Sequence, residues 1–294
     1  MKSVISSYIN LTKPTIVLTF ALTGLTAIVV EGSMLHDPLK LGIVLIAITL
    51  TAGSANALNM FFDRDIDEVM KRTRKKRSLP LKKITPLNAL LFGLALGIIA
   101  TSLLLYFANF LSASIGVFTI FFYVVVYTLY LKRRTPYNIV IGGAAGATAP
   151  LMGWAAATNH ISTLPWILFL IIFMWTPPHF WALALVVKED YREAKIPMLP
   201  VVFGDHRTRM EILFYSLLLI PLTLAPVLIK AGGLTYLIGG AVLGIIFLRQ
   251  TYVLLKKKDN KSAYMLFGYS ILYILLLFTF LMVGTITHGT PVLA

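Results

Sequence analysis

The side chains best suited to chemistry sit close together in "NALNMFFDRDID", residues 56–67, where Asn59, Asp63 and Asp67 recur every four residues and Asn56 stands three before them. On a helix that advances about 100° per residue, Asn56, Asp63 and Asp67 lie about 60°, 40° and 80° from Asn59, so all four share one face. Asp65 falls on the far side. Two carboxylates one turn apart repel, and in a low-dielectric medium one of them tends to take up a proton. A divalent cation removes that conflict. Mg²⁺ suits such a pair, because it takes one or two carboxylates and fills its remaining positions with waters and phosphate oxygens. The run "KRTRKKR" follows at residues 71–77. Its cations could grip a polyphosphate, arginine through paired hydrogen bonds and lysine as a point charge. A solvated charged loop is the plain alternative. Against it, the polar face begins at Asn56 and Asn59, inside an apolar run, where polar side chains are costly in a membrane.

Two further clusters stand out. In "MWTPPHFWALALVVKEDYRE", a helix running on through Pro177 and Pro178 would place His179 and Asp190 about 20° apart, with Trp175, Val186 and Glu193 within about 40° of His179. A proline pair usually kinks or breaks a helix. His179 lies deep in an apolar stretch within an aromatic frame. It is either functional or simply packed and hydrogen-bonded. In "YVVVYTLYLKRR", Tyr123, Tyr127 and Tyr130 share a helical face with Arg134. Their rings could stabilise a nearby cation or anchor the chain at the membrane interface, and Tyr130 fits the second role better. The small residues of "GGAAGATAP" suit close helix packing.

The elements that must position these residues follow from composition. The 294 residues are 58% hydrophobic and only 13% charged, with a mean hydropathy of +0.83. About a quarter of a soluble domain is charged, so this is an integral membrane protein. The absence of cysteine excludes disulfides, thiolate zinc sites and thiol nucleophiles. About 20 apolar residues cross the hydrocarbon core. Nine segments qualify: 14–30, 39–59, 86–106, 110–131, 138–157, 164–187, 211–229, 233–254 and 264–287. The expected fold is all-α and polytopic, a single domain over residues 1–294. Of the 26 Lys and Arg, only Lys40 and Lys230 fall on the side opposite the N-terminus. The positive-inside rule then puts the N-terminus and the aspartate cluster on the cytoplasmic side and the C-terminus outside. The net charge of +14 thus records topology, and a nucleic-acid partner is not needed to explain it. The first span follows directly on "MKSVISSYINLTK", which leaves no room for a transit peptide and favours a bacterial or archaeal plasma membrane.

The segments "NMFFDRDIDEVMKRT", "YLKRRTPYNIVIGGAAGATAPLMGW", "WTPPHFWALAL" and "DYREAKIPMLPVVFG" together resemble the UbiA-type intramembrane prenyltransferases. "PPHFWALAL" and "IPMLP" are similar to the haem-modifying branch, and the resemblance spans all nine segments. It implies transfer of a farnesyl group from farnesyl diphosphate to a vinyl group of haem b, with addition of water. It further implies Mg²⁺ held by Asn59, Asp63, Asp67 and Asp190, and diphosphate contacts from Arg72, Arg77, Lys132 and Arg133. Asn56, Lys188 and Glu193 are expected at the substrates. Tyr127 would face the developing positive charge, and His179 would orient haem, bind its iron or handle a proton. A haem A synthase is a candidate partner. Two departures stand out: Ala194, not an acid, follows Asp190 four positions on, which leaves Glu189 or Glu193 to complete a second metal site, and Ser78 stands where proline is expected after Arg77. Two rival readings share these residues. One is a sister enzyme prenylating an aromatic quinone precursor. The other is a cation-coupled transporter, against which the carboxylates lie at one surface, whereas transport sites lie near the midplane.

Overall fold

A computed structural model describes residues 2–288. Among these residues the chain is helical: α1 (Lys2–Thr12), α2 (Pro14–Glu31), α3 (Pro38–Phe62), α4 (Arg64–Val69), α5 (Lys71–Arg74), α6 (Pro86–Phe107), α7 (Phe110–Phe121), α8 (Asn138–Gly146), α9 (Ala149–Thr158), α10 (Thr163–Val186), α11 (Lys188–Glu193), α12 (Leu199–Val202), α13 (Gly204–Leu228), α14 (Gly233–Lys257) and α15 (Asn260–His288). A π-helical segment, Phe122–Leu131, continues α7. Among the described residues, nine stretches are long and apolar enough to cross a membrane. They fall where hydropathy predicts, although α13 begins at Gly204, seven residues before the expected start at 211.

Helix starts follow local chemistry. Proline occupies the first turn of α2, α3 and α6, where a missing N–H costs nothing. Asp37 caps α3 by accepting Lys40 N at 3.0 Å, Thr85 caps α6 by accepting Asn88 N at 3.2 Å, and Asn109 caps α7 by accepting Ser112 N at 2.9 Å.

Three departures from the expected helices bear on the site. The segment 110–131 is not α-helical throughout, because its last ten residues form the π-helix. The span 138–158 is broken after Gly146, where Thr148 Oγ1 donates to Ala145 O at 2.9 Å and lies 2.7 Å from Thr119 Oγ1. By contrast, α10 runs unbroken through Pro177 and Pro178.

The interior is closed by small residues, as the glycine-rich stretch predicts. A Cβ at Gly153 would lie 2.4 Å from Gly24 O, so α9 packs against the backbone of α2. A Cβ at Gly142 would lie 2.2 Å from the Tyr127 ring, and one at Gly143 would lie 2.8 Å from Thr176. These contacts bring α8 against both the π segment and α10. Large side chains such as Leu18, Ile98 and Ile245 remain exposed on the outer helices, as a lipid-facing surface requires.

Candidate active site

The polar face of α3 is buried inside the bundle. Asn56, Asn59, Asp63 and Asp67 are all 3% exposed or less. Helix α3 ends at Phe62, and α4 resumes at Arg64, with Asp63 at the junction. Asp67 N still bonds Asp63 O at 2.9 Å, so the four-residue spacing survives the junction. Asn59 organises the cluster. Its Nδ2 donates to Asp63 Oδ2 at 2.8 Å and to Thr128 Oγ1 at 2.9 Å, while its Oδ1 accepts Lys13 Nζ at 2.7 Å. These three bonds determine which way the amide points.

The carboxylates face cations from other elements. Lys132 Nζ bonds Asp63 Oδ2 at 2.5 Å, and Arg77 pairs with Asp67. Lys132 follows directly on the π segment, with its N–H reaching back five residues to Tyr127 O at 2.9 Å. Thr128 Oγ1 donates to Tyr123 O at 2.8 Å within the same wide turns, and this leaves it free to accept from Asn59. Such π turns recur at functional sites. Here the segment also stacks Tyr123 on Tyr127, with centroids 5.3 Å apart. On the other side, Thr73 Oγ1 donates to Asp67 O at 3.0 Å and Thr73 O accepts Arg77 N at 2.9 Å, so α5 delivers Arg77 to the site.

Asp190 is buried and accepts the backbone N–H of Arg72 at 3.0 Å, which pins the basic loop onto α11. Arg72 Nε is buried without a hydrogen-bond partner. A cavity of about 240 Å³ lies beside it, lined by Arg72, Thr73, Lys76 and Arg77 on one wall and by Leu183 and Phe267 on the other. Phe267 stacks in turn on His179, with centroids 4.7 Å apart.

Other expected site residues lie elsewhere. Arg133 donates to both oxygens of Asp65 at 2.8 Å on the exposed side of α4. Lys188 bonds Asp205 Oδ1 at 2.8 Å, and Glu193 pairs with Lys71 at 2.9 Å in solvent. Glu189 is taken by Arg192. Tyr130 is exposed, with the Arg134 guanidinium 4.2 Å from its ring centroid. Sequence reasoning missed Lys13 and Thr128. Lys13 adopts a left-handed conformation, φ 55° and ψ 73°, which brings its side chain from the α1–α2 junction to Asn59. Burial, and then the Arg77 guanidinium, hold its ammonium well below the usual lysine range. An anion arriving there would oppose both effects by favouring the charged ammonium.

Among the described residues, no three His, Cys, Asp or Glu side chains converge as a ready-made metal cage. Mg²⁺ does not require one, since waters and substrate phosphates complete its shell. The donor set fits it. Asp63 Oδ1 is a buried carboxylate oxygen with no partner, beside a second buried carboxylate and the Asn59 amide.

A helical membrane bundle with buried carboxylates and convergent cations at one end of α3 suits an intramembrane protein that handles phosphorylated groups. The chain belongs to the UbiA prenyltransferase family, whose pattern matches residues 17–277. Within that family, proteins named protoheme IX farnesyltransferase match along most of their length. That of Gloeobacter violaceus is 47% identical over 279 residues, 95% of this chain and 91% of the relative. That of Beijerinckia indica is 49% identical, covering 93% and 86%. Solved structures share the fold. A digeranylgeranylglyceryl phosphate synthase superposes with a TM-score of 0.79 at 23% identity, covering 98% of this chain and 100% of its own. A UbiA homologue from Archaeoglobus fulgidus, bound to DMAPP and Mg²⁺, gives 0.67 at 15%, covering 93% and 99%.

Proposed function

We propose that the protein transfers the farnesyl group of farnesyl diphosphate to a vinyl group of haem b, with addition of water, giving haem O and diphosphate. The observation that carries the diphosphate half is the buried Asn59–Asp63–Asp67 face with Lys132, Arg77 and Lys13 turned onto it. The acceptor half is supported by the extent of identity to the named relatives.

Asn59, Asp63 and Asp67 would hold Mg²⁺, with Asp190 joining from α11. When bound, the ion supplies charge neutralisation for the departing diphosphate. Lys132, Arg77 and Lys13 pair with phosphate oxygens, and Arg72 offers a further donor from the cavity wall. The allylic C–O bond breaks and its electron pair leaves with the diphosphate. The vinyl π pair forms the new C–C bond to the allylic carbon. Water then adds to the resulting cation beside the porphyrin and loses a proton. Burial of the site keeps water from the allylic carbon until the acceptor is in place. The stacked Tyr123 and Tyr127 rings offer π faces to the developing charge.

The proposal places the enzyme in a cell membrane, with its N-terminus and active site at the cytoplasmic surface, an orientation that the distribution of Lys and Arg supports. The product keeps its prenyl tail in the bilayer, so transfer to a haem A synthase within the membrane is part of the proposal. The test is acceptor dependence. Purified protein with farnesyl diphosphate and Mg²⁺ should release diphosphate when haem b is added. Release that requires a phenolic acceptor instead would move the chain to the quinone-precursor branch. No release with either acceptor, in folded protein, would direct attention to transport.

A further inference from the structure

His179 sits in α10 and is 8% exposed. Its imidazole is clamped on both faces. Trp175 stacks on one, with centroids 4.4 Å apart and planes 17° apart, and Phe267 on the other at 4.7 Å and 24°. Phe180 meets it edge-on at 5.0 Å. The plane of the ring is therefore fixed by three aromatic neighbours from two helices.

The hydrogen-bond contacts favour one tautomer. Ser270 Oγ lies 2.6 Å from His179 Nδ1. The same hydroxyl lies 2.6 Å from Phe267 O, an acceptor that can only receive. A serine hydroxyl has one proton to donate. With Ser270 donating to Phe267 O, its oxygen accepts from His179, an assignment that places the hydrogen on Nδ1 and the lone pair on Nε2. Ser270 is itself held in place, because its carbonyl accepts Trp175 Nε1 at 2.8 Å. The second nitrogen is free. Nε2 makes no hydrogen bond among the described residues, and it is not one of the sealed, unpartnered atoms such as Trp154 Nε1 and Trp181 Nε1.

A neutral imidazole with Nδ1–H bonded to an oxygen and Nε2 bare is the arrangement by which histidine binds transition metals. Iron is among the metals that imidazole suits. The ring is also well placed. Phe267, which stacks on it, lines the basic cavity that holds Arg77, the partner of Asp67. One aromatic ring thus separates the imidazole from the basic cavity.

We infer that His179 Nε2 is an axial ligand to the iron of the porphyrin acceptor, and that Ser270 is a positioning residue that holds the tautomer. This rests on the proposed function for the identity of the acceptor. Ligation fixes the depth and tilt of the macrocycle, and hence which vinyl group meets the allylic carbon. The apolar frame of Trp175, Phe180 and Phe267 suits the macrocycle, and Lys76 in the adjoining cavity suits its carboxylate edge.

The test is spectroscopic and needs no turnover. Purified protein in lipid nanodiscs is titrated with haem b without farnesyl diphosphate, and resonance Raman spectra are taken of the ferrous complex. The wild type should show an iron–histidine stretching band. His179→Ala should lose it and recover ligation with added imidazole, whereas replacing exposed His160 should leave it unchanged. Ser270→Ala should keep the band but bind haem at least about tenfold more weakly, as expected for loss of a partner that orients a ligand. No such band in the wild-type complex, or the same band in His179→Ala, overturns the inference. If His179→Ala fails to fold, a variant with His36, His160, His206 and His288 all replaced decides instead: the band must persist, and its loss overturns the inference. Haem O formed without the band would leave the proposed reaction standing and remove the ligand. A band without haem O would do the reverse.

Discussion

Replacing Asp63 with Asn tests whether the carboxylate is there for chemistry, for structure or for both. The substitution keeps the shape and removes one charge from a side chain only 1% exposed, whose partner Lys132 is 14% exposed. Breaking a buried ion pair from one side costs about 3–5 kcal/mol, because the surviving charge is left uncompensated. Lys132 keeps some access to water, so the lower end, about 3 kcal/mol, is expected. Removing both charges in Asp63→Asn/Lys132→Met should restore most of that loss, since replacing a whole buried pair is close to neutral. The two sites touch, so the effects should not add. Activity should behave differently. Without the carboxylate, both variants lose the group that holds the cation against the leaving diphosphate. A fall on the order of 10³ in turnover, equivalent to about 4 kcal/mol of barrier, is expected in each. Thermal unfolding in nanodiscs, read beside haem O formation, separates the two effects. The reasoning fails if the double variant is as unstable as the single one, or if Asp63→Asn retains metal-dependent turnover within about tenfold of wild type.

Other outcomes follow from the same geometry. Thr128→Val removes the acceptor for Asn59 Nδ2 and the donor to Tyr123 O; it should cost about 1–3 kcal/mol of stability and raise the Mg²⁺ concentration for half-maximal turnover by about tenfold. Asp65→Ala breaks an exposed pair with Arg133, so thermal stability should change by less than about 1 kcal/mol and turnover by less than about twofold. Hydrogen bonding from Arg133 holds the Asp65 carboxyl below its usual range; what this pair contributes is therefore full above the unfolded value of about 3.9 and fades as the pH falls below it, a loss that an Asp65→Ala comparison across acid pH would measure. Gly153→Ala drives a methyl group onto Gly24 O and should destabilise by about 1–3 kcal/mol, whereas Gly146→Ala meets open space and should be tolerated in the same melting assay.

Much of the site is legible in the sequence because its period matches the helix that carries it. Asn56, Asn59, Asp63 and Asp67 recur at helical spacing at the end of an apolar run, and the fold keeps that face intact across the junction at Asp63. The spans are legible for the same reason, since length and hydropathy alone define them. What is hidden depends on backbone choices or on distant partners. Nothing in "FYVVVYTLYL" distinguishes π from α turns, yet the π turns accompany the placement of Lys132 and free the Thr128 hydroxyl. Lys13 looks like an ordinary topology-setting cation, and only its left-handed backbone brings it to Asn59. Arg133, Lys188 and Glu193 look available as loop charges, but the fold supplies each with a surface partner, Asp65, Asp205 and Lys71 respectively. The proline pair argued for a break in α10 that does not occur. Ser78, where proline was expected, instead donates to Ser7 O at 2.9 Å and ties the basic loop to α1.

The most direct test of the account is the mass of the product. Purified protein is incubated with farnesyl diphosphate, haem b and Mg²⁺, and the haems are extracted and weighed by mass spectrometry, with a parallel sample in EDTA. The account predicts a haem heavier by one farnesyl group and one water, absent with EDTA and restored by excess Mg²⁺. Folded protein that leaves haem b unmodified, or that modifies it equally well in EDTA, would contradict it.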